Sequence, residues 1–378
     1  MKRTTDTQPI NIAESVAQPP LKQKRTSGWK IFLYILLGLA VLLALLYLVW
    51  IGPTLRKPIS QALSLPTMAV GPVDGEEVAA VIPPSNLENL PVFVEPTLEA
   101  GKEPVCGDEA AWNVLLVGID YSDPQYTYGL ADVIRVLRMD FVEMKVNMVA
   151  LPRDLLVEAP EGRFTEQNPM KINQAYLFGT PGWGGYLGEG IGANSLAEVI
   201  RYNFGVTAQH YGVVNFDTVI RFIDAIGGVE VNLPQGVEDP NPGLGSIPAG
   251  PQILSGARAL ALMRIRTNYS DAFRVSNQTL VMRAILNKLM QPATLVKVPS
   301  LLDQFRDAFL TDLSIDQIAS LGMCFLRNFD LDNLRSAQIP DELLTVDYAF
   351  IPSLDSTAYT YRWDQRTVDW IHQNLLTE

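Results

Sequence analysis

Residues 113–151 read NVLLVGIDYSDPQYTYGLADVIRVLRMDFVEMKVNMVAL, and this stretch predicts the fold. It contains three apolar runs, at 113–117, 133–139 and 145–151, each bounded by Gly, Asp or Pro. Short apolar runs between turn residues are typical of buried β-strands. The brief connection between the second and third runs favours a β-hairpin.

Strand and helix patterns alternate along the rest of the chain. Residues 210–215 and 229–233 predict two further strands, and the helix FDTVIRFIDAI between them ends at a Gly-Gly pair, as helix C-termini commonly do. Ser255 is expected to cap a short helix that runs into an extended Met-Arg-Ile-Arg segment, and residues 272–290 predict a long amphipathic helix. We therefore expect an α/β fold, with a mixed β-sheet flanked by helices on both faces.

Residues 31–51 (IFLYILLGLAVLLALLYLVWI) contain no charged residue and no proline. At about 1.5 Å per residue this run spans a hydrocarbon core of about 30 Å, so we expect one transmembrane helix. The preceding thirty residues hold six Lys or Arg against two acidic residues, which predicts a cytoplasmic tail at 1–30 and an extracytoplasmic remainder. A cleaved signal peptide, the alternative, would have a shorter apolar core of about 7 to 15 residues.

The extracytoplasmic part is strongly acidic. Subtracting the tail's six basic and two acidic residues from the chain's 29 and 41 leaves 23 against 39, a balance of −16. Nucleic acid and anionic lipid headgroups are poor partners for such a surface. Nine prolines in 52–111 predict an extended linker or stalk. A main domain follows at 112–292, and 293–378 is expected to be a C-terminal extension that packs on it.

Cysteine and histidine are scarce, which restricts the chemistry. Cys106 and Cys324 would lie in an oxidising compartment, and either a disulfide between the linker's end and a C-terminal helix or two free thiols fits the sequence. His210 and His372 are the only histidines, so a Ser-His-Asp triad or a His-ligated metal has little material.

Two aspartates lie at predicted strand ends, where α/β folds usually place their sites. Asp120 follows the first strand and Asp132 opens the second. Two such carboxylates can share a hard cation such as Mg²⁺, which keeps its other positions for water or phosphate oxygens. The structural alternative is that Asp120 forms a turn and Asp132 is a solvated strand start.

Arginines are concentrated in LMRIRTNYSDAFRVSNQ, residues 262–278. In an extended segment Arg264 and Arg266 would share one face, and Arg274 and Gln278 would share one helix face. Because a guanidinium binds phosphate oxygens two at a time, this group predicts an oxyanion or phosphate clamp, with a surface ion-pair network as the alternative. Arg153, in LPRDLL after a buried strand, is either part of that site or a surface turn residue.

Seven blocks in this order resemble the LytR-CpsA-Psr (LCP) family, over about residues 112–292. They are NVLLVGID, ADVI, ALPRD, KINQAY, VVNFDTVIRFIDAIGGVEVNLP, LSGARALALMRIR and DAFRVSNQ, preceded by an anchor helix. The resemblance implies a phosphotransferase that moves a glycopolymer from a polyprenyl-pyrophosphate carrier to peptidoglycan or a similar cell-envelope acceptor. It also implies an apolar tunnel for the carrier lipid, with the pyrophosphate and Mg²⁺ (or Mn²⁺) at its mouth.

The resemblance also implies roles for individual residues. Asp120 and Asp132 match the metal-associated aspartates. The residues that match pyrophosphate-binding positions are Arg153 of the PRD motif, the R-x-R pair Arg264 and Arg266, and Arg274 and Gln278 at the start of the following helix. Asp132, Arg153, Arg264 and Arg266 are the residues expected to act in the reaction itself. Such chemistry needs charge neutralisation more than a covalent intermediate, and Asp132 is expected to orient or deprotonate the acceptor hydroxyl.

Two positions depart from the family pattern. Leu130 stands where the family commonly has an arginine, two positions before the second aspartate, and Asn277 stands where an arginine often precedes the glutamine. Arg135 is a candidate replacement for the first, but on a regular strand it lies on the face opposite Asp132 unless a β-bulge intervenes. Either change can alter the donor polymer or weaken turnover.

Two other functions compete with transfer. A non-catalytic lipid-binding envelope sensor or regulator would need the apolar tunnel but not both aspartates. A lipid-pyrophosphate hydrolase would use the same site with water as acceptor. Dependence on an acceptor separates the hydrolase from the transferase, and turnover separates both from the sensor.

Overall fold

We analysed a computed structural model of the chain. It describes residues 33, 36–37, 39, 56–66, 82–96, 101–121, 128–165, 167–238, 245–265, 271–295, 297, 300–301, 304–305 and 308–376. The chain divides into two compact units, Met1–Thr54 and Leu55–Glu378. In the first unit Leu33, Leu36, Leu37 and Leu39 are helical and exposed. Most of the predicted span 31–51 lies outside the described residues, and none of the described helices is long and apolar enough to cross a membrane.

The second unit has a mixed α/β fold. Its strands are β1 (Ala111–Ile119), β2 (Ala131–Asp140), β3 (Lys145–Leu151), β4 (Leu156–Val157), β5 (Met170–Lys171), β6 (His210–Asn215), β7 (Val229–Leu233), β8 (Val237–Glu238), β9 (Ser246–Ile247), β10 (Gly250–Leu254), β11 (Leu310–Thr311), β12 (Leu334–Gln338), β13 (Thr345–Ile351) and β14 (Ser356–Arg362). Its described helices are α1 (Ile172–Phe178), α2 (Gly192–Phe204), α3 (Phe216–Ala225), α4 (Gly256–Arg264), α5 (Asp271–Met290), α6 (Pro292–Leu295), α7 (Ile315–Asn328) and α8 (Gln365–Leu376).

The central sheet has six strands in the order β11-β6-β1-β2-β3-β12. β1 pairs antiparallel with β2 and parallel with β6, while β3 pairs antiparallel with β2 and parallel with β12. The predicted mixed sheet and the β2–β3 hairpin are therefore confirmed. The predicted strand at 229–233 also forms, but it pairs with β10 in a separate two-stranded sheet.

Alternation along the strands gives the sheet two different faces. On one face Leu115, Val117 and Ile119 of β1, with their neighbours on β2 and β3, are buried against α1, α2 and α8. On the other face Val114 and Met148 are buried. Four further apolar side chains on that face are only partly buried: Leu116, Val133, Leu137 and Val214. Helix α5 lies over this second face, because Arg135 projects from it to bond the α5 backbone. Helices on both faces, as predicted, thus cover the sheet.

A second apolar cluster packs α3, α4 and α5 against β7 and β10. Asn215 begins α3 by accepting the backbone N–H of Thr218 at 2.8 Å, an N-cap bond that fixes where the helix leaves the end of β6. This cluster is separate from the core on the other side of the sheet. The partly buried face of the sheet therefore lies on the side of the α3–α5 cluster, and the main core lies on the other side of the sheet.

The described parts of the Pro-rich segment lie along the domain, which differs from the extended stalk that we expected. The Ser60 N–H donates to the Thr311 carbonyl at 2.8 Å, and Ser64 pairs with the side-chain amide of Asn194. Glu95 forms an ion pair of 2.5 Å with the buried Arg138. Proline content indicates an extended backbone but not whether that backbone is free, because docking depends on distant partners.

Residues after 292 are integral to the fold and are more than an extension packed on it. They supply β11 and β12 to the central sheet and α8 to its main core. Sequence alone did not show this, because β11 and β12 are short and pair with strands far away in the chain. The domain boundaries predicted at 30, 51 and 111 stay predictions.

Cys106 and Cys324 form a disulfide, with their Cα atoms 5.9 Å apart. The bond joins the end of the Pro-rich segment to α7, which is the pairing that the sequence left open. Phe141 and Met144 of the β2–β3 turn pack around it. The link therefore ties three distant parts of the chain together.

We expect stability to fall between about pH 10 and pH 12. Burial raises the pKa of Tyr186, Tyr202 and Tyr211 to about 12 each. Since the unfolded tyrosines ionise first, near pH 10, their contribution is complete below that pH and is lost as the pH rises toward 12. Arg135 and Arg201 have the opposite sign, because burial lowers the pKa of both, to about 10 for Arg135, but they are two groups against three.

Urea unfolding at pH 8, 10 and 11.5 measures this loss. Tyr211 alone should account for about 2 kcal/mol at pH 12. Tyr211→Phe should therefore flatten the pH dependence by about a third, although it also removes a hydrogen bond to the Gln61 carbonyl at every pH. An unchanged pH dependence in Tyr211→Phe would contradict the assignment.

Candidate functional site

The predicted site residues gather at one edge of the central sheet. Strands β1, β3, β6 and β12 run in the same direction, so their carboxyl ends meet at this edge. Asp120 follows β1, Asp132 lies at the start of the antiparallel β2, and Arg153 follows β3. The guanidinium of Arg264 stacks on the ring of Phe216, which directly follows β6. Open α/β sheets bind ligands at this kind of edge.

Asp132 and Arg153 form the centre of the group. Asp132 Oδ1 accepts a charge-assisted hydrogen bond of 2.5 Å from Arg153 Nη1, and about one fifth of each side chain is exposed. Arg153 Nε lies 3.4 Å from Asp154, whose other carboxylate oxygen binds Lys171 at 2.8 Å. The PRD motif therefore places its arginine between two carboxylates, partly open to a ligand.

A register shift turns Asp132 out of the regular pleat. Gly118 pairs with Val133 and Ile119 pairs with Ala131, so Asp132 is the extra residue of a β-bulge. Bulges re-aim side chains near functional sites. Arg135 could replace the arginine missing at Leu130 only if a β-bulge intervened, and this bulge is present.

Asp120 is exposed and holds the other side of the β1–β2 connection. Its backbone N–H donates to the Leu130 carbonyl at 3.1 Å, and its Oδ1 accepts the Leu130 N–H at 2.7 Å. Asp120 thus has the turn-forming role that we considered as the alternative to metal binding. One oxygen remains beyond that bond, so the two roles are compatible.

The two aspartates fit a hard cation. Asp120 and Asp132 adjoin the paired residues Ile119 and Ala131, so their carboxylates flank one point of the sheet edge. Within the described parts of the chain no group of three or more His, Cys, Asp or Glu could hold a metal. Mg²⁺ is commonly bound by one or two carboxylates and completed by water and phosphate, so this donor set matches a cation shared with a phosphorylated ligand.

Arg264 reaches the site in a way that the sequence did not predict. It lies in the last turn of α4 and not on an extended strand-like segment, so the predicted alternation with Arg266 is wrong at Arg264. Its guanidinium stacks 4.3 Å from the ring centroid of Phe216 while the side chain remains exposed. Arg266 lies outside the described residues, and its role stays a prediction.

Arg274 and Gln278 lie one turn apart on α5 and are buried, with 4% and 8% of their surface exposed. Gln278 Nε2 donates to the carbonyl of Met263, the residue before Arg264, at 3.4 Å. Gln278 Oε1 accepts from Arg135 at 3.5 Å. This glutamine therefore joins the end of α4 to the sheet beneath it.

Arg135 is the main charged residue whose role the sequence did not settle. It is 3% exposed and donates to Thr279 Oγ1, Ser336 Oγ and the Val275 carbonyl, each at 3.2 Å. Burial lowers its pKa to about 10, so it remains protonated at neutral pH. These partners are neutral, so Arg135 is a buried positive charge without a carboxylate partner among them, three residues after Asp132 on β2. The sequence signal that could have identified Arg135 is a charged residue between apolar residues of a predicted strand.

Replacing Arg135 with methionine should lower kcat/KM clearly while changing the free energy of unfolding only a little. Its charge adds to the field at the sheet edge, whereas a buried charge contributes little net stability compared with an apolar side chain of similar volume. We expect kcat/KM to fall about tenfold and the free energy of unfolding to change by less than about 1.5 kcal/mol. Arg135→Lys keeps the charge and should recover part of the loss. Equal kinetics for Arg135→Met and the parent would contradict this role.

Three aromatic side chains beside Asp120 were not identified from the sequence. Tyr121, Tyr128 and Trp183 are 50%, 45% and 48% exposed, with ring centroids 5.1 Å and 5.8 Å apart along the row. Trp183 comes from the glycine-rich run 179–192, far away in sequence. Only the packed loops bring it to the β1–β2 connection. The site edge thus carries carboxylates, arginines and an aromatic border.

Arginines beside carboxylates at such an edge can bind an anion together with a cation, and they need no histidine to do so. The chain belongs to the LytR_cpsA_psr family, whose sequence model matches residues 96–375. That match confirms the resemblance seen in the seven motif blocks and extends it almost to the C-terminus.

Individual relatives are more distant. The chain is 30% identical over 217 residues to the polyisoprenyl-teichoic acid–peptidoglycan teichoic acid transferase TagU of Oceanobacillus iheyensis, covering 57% of this chain and 62% of that protein. It is 26% identical over 216 residues to the regulatory protein MsrR of Staphylococcus aureus, covering 56% and 60%. The matches thus span less than two thirds of these curated relatives.

Solved structures share the fold. B. subtilis TagV has a TM-score of 0.57 at 19% identity, covering 71% of this chain and 97% of that one. TagT bound to LIIa-WTA has a TM-score of 0.52 at 17% identity, covering 76% and 95%. At these identities the likeness shows the fold alone.

Proposed function

We propose that the protein is a glycopolymer phosphotransferase. It takes a glycan from a polyprenyl-pyrophosphate carrier and attaches it to peptidoglycan or a similar envelope acceptor. The Asp132–Arg153 pair carries this proposal, because a carboxylate that can orient a hydroxyl lies beside a guanidinium that can bind phosphate. The pair lies at the edge where open α/β sheets bind ligands. Membership of the family and the likeness to TagU, which is named as a transferase of this kind, support it.

The pyrophosphate is the ligand of the arginines in this proposal. Arg153 and Arg264 approach the sheet edge from β3 and α4, so phosphate oxygens between them meet guanidinium donors from both sides. Arg266 and the α5 residues Arg274 and Gln278 complete the set. Lowering the charge of the reacting phosphate in this way is the main catalytic contribution in phosphoryl transfer.

Transfer replaces one phosphorus–oxygen bond with another. The acceptor hydroxyl oxygen bonds to the phosphorus that carries the sugar, the bridging oxygen leaves with polyprenyl phosphate, and the hydroxyl proton passes to a base. Asp132 is the proposed base or orienting group, and its bond to Arg153 fixes one of its oxygens. When bound at Asp120 and Asp132, Mg²⁺ (or Mn²⁺) would neutralise phosphate charge.

The partly buried sheet face is the proposed seat of the carrier's lipid chain. Leu116, Val133, Leu137 and Val214 are apolar and incompletely covered, and Val133 and Val214 lie next to the site edge. A prenyl chain would remove this surface from water at about 25 cal/mol per Å². We further propose that residues 31–51 anchor the protein in the membrane as a single span, with its N-terminus in the cytoplasm.

Metal dependence tests the proposed roles of Asp120 and Asp132. Chelation with EDTA should reduce transfer to background, and added Mg²⁺ or Mn²⁺ should restore it. Asp120→Asn should need about tenfold more Mg²⁺ for half-maximal activity, since one of two ionic ligands loses its charge. Full activity in EDTA, or an unchanged Mg²⁺ requirement in Asp120→Asn, would contradict a metal at these residues.

A transfer assay tests the function. The detergent-solubilised chain is incubated with a polyprenyl-pyrophosphate oligosaccharide labelled in its sugars, Mg²⁺ and peptidoglycan fragments. Label should move to the acceptor with the parent chain and not with Arg264→Ala. Release of label without an acceptor would indicate a hydrolase. Tight lipid binding without turnover would indicate a sensor. This outcome is included because the relative MsrR is named a regulatory protein.

A further inference from the structure

Strands β13 and β14 form a two-stranded ribbon with an uncharged, largely aromatic side. Val346 pairs with Tyr361, Tyr348 with Tyr359, and Phe350 with Thr357, so these six side chains share one face, which we call the aromatic face. On the opposite side Ala349, Ile351 and Thr360 are buried against the domain. The ribbon therefore packs on the domain through one side, and the aromatic face is its other side.

The aromatic face is exposed along β13 and partly covered along β14. Val346, Tyr348 and Phe350 are 55%, 67% and 55% exposed, whereas Tyr359 and Tyr361 are half-buried and Tyr361 packs against the main core. The rings of Tyr348 and Tyr359 are 5.8 Å apart and those of Tyr359 and Tyr361 are 5.2 Å apart, so they form one row across the ribbon. Contiguous apolar surface of this kind usually marks an interaction site.

The ribbon is bonded to the loop that carries the candidate site. The Tyr361 N–H donates to the carbonyl of Asp154 at 2.9 Å, and Asp154 follows Arg153 in the PRD motif. Tyr361 also bridges to Leu155 in parallel, and the Ser353 hydroxyl accepts from Gln174 of α1 at 2.8 Å. A ligand on the aromatic face would therefore be held by an element continuous with the catalytic edge.

The surrounding charge narrows the class of ligand. In residues 341–362 the acidic side chains are Asp341, Glu342, Asp347 and Asp355, and the only basic one is Arg362, which pairs with Asp347 at 2.5 Å. This balance disfavours an anionic lipid surface or a phosphate-rich polymer. A neutral ligand that stacks on rings and bonds to hydroxyls fits better.

We propose that the aromatic face binds the glycan strand of the acceptor, as a neutral chain of pyranose rings. The positively polarised C–H groups of a sugar face suit the negative face of an aromatic ring, and tyrosine hydroxyls suit sugar hydroxyls. The neighbouring tyrosine rings meet edge to face, at 80° and 81°, so a glycan would stack on some rings and contact the edges of others. Tyr348 and Phe350, two positions apart on β13, are separated by about 6.8 Å, so a chain of linked pyranose rings can contact both. This assignment of an acceptor subsite rests on the proposed transfer function.

Binding of chitohexaose, a neutral N-acetylglucosamine hexamer, tests the inference. Isothermal titration of the full chain in detergent should show saturable binding that weakens at least tenfold in Tyr348→Ala/Tyr359→Ala. Leu354→Ala is the matched control, because Leu354 is 49% exposed in the same hairpin but lies in its turn, outside the aromatic face. It should change affinity less than twofold. Tyr348→Ser alone should also weaken chitohexaose binding. An unchanged melting temperature of this variant would show that the weaker binding does not come from misfolding.

Other outcomes would overturn the assignment. Absent binding by the parent chain, or unchanged affinity in the double variant, would remove the aromatic face as a glycan site. Binding to phosphatidylglycerol vesicles that requires Tyr348 and Tyr359, without chitohexaose binding, would make it a membrane contact instead. Chitohexaose titration needs no donor, so its result is independent of turnover. Glycan binding by the parent chain without any transfer would reject the proposed function while keeping this site.

Discussion

Asp132→Asn is expected to lower glycopolymer transfer by about two to three orders of magnitude. The substitution keeps the size of the side chain and removes the negative charge that faces Arg153 at 2.5 Å. It therefore removes the proposed base and an ionic metal ligand at the same time. Initial rates with saturating donor and acceptor measure the effect.

The control for this substitution is Asp316→Asn. Asp316 is about half exposed in a surface ion pair with Arg56 and is replaced by the same residue type. It follows β11, which runs antiparallel to β6 and so ends at the opposite edge of the sheet. It should retain transfer within about twofold, because surface substitutions away from the site have small effects. An Asp132→Asn enzyme with rates within threefold of the parent would contradict the site.

Glu198→Gln is expected to destabilise the fold by about 3 to 5 kcal/mol. The Glu198 side chain is 1% exposed and binds Arg163 through two bonds of 2.6 Å and 3.0 Å. It also accepts a hydrogen bond from Tyr186 and lies near the buried Arg201. Loss of its charge leaves the buried Arg201 and the partly exposed Arg163 without their compensating carboxylate.

Chemical unfolding of the full chain in detergent measures this loss. As a control for stability, Asp217→Asn should cost less than about 0.5 kcal/mol, since Asp217 and Arg221 form an exposed i,i+4 pair, which contributes little. A cost below about 1 kcal/mol for Glu198→Gln would mean that the network relaxes or admits water. The pair of variants separates buried charge compensation from a general effect of removing carboxylates.

The sheet could be predicted because its information is local. Strands β1, β2 and β3 each carry their own apolar run and turn residues, and alternation then determines which side chains share a face. The placement of Asp120 and Asp132 at one edge follows from the antiparallel pairing of β1 and β2, because Asp120 follows the end of β1 and Asp132 lies at the start of β2. The family motifs added Arg153 and the α5 residues.

The features that were missed depend on distant contacts. Whether α4 includes Arg264 is settled by its packing on Phe216 and by α5, which no local propensity records. Arg135 is buried only because α5 and β12 close over it. The aromatic border beside Asp120 needs Trp183 to come from a glycine-rich run whose path composition does not specify.

In the proposed reaction a sugar-linked phosphate moves to an acceptor hydroxyl at the Asp132–Arg153 edge. The most direct measurement follows both phosphorus atoms of a doubly ³²P-labelled polyprenyl-pyrophosphate oligosaccharide in one reaction. We predict that one phosphorus enters a phosphodiester on peptidoglycan and that the other stays on polyprenyl phosphate, in equal amounts and only with acceptor present. Both phosphorus atoms remaining with the lipid, or the sugar-linked phosphate released into water regardless of acceptor, would contradict phosphotransfer.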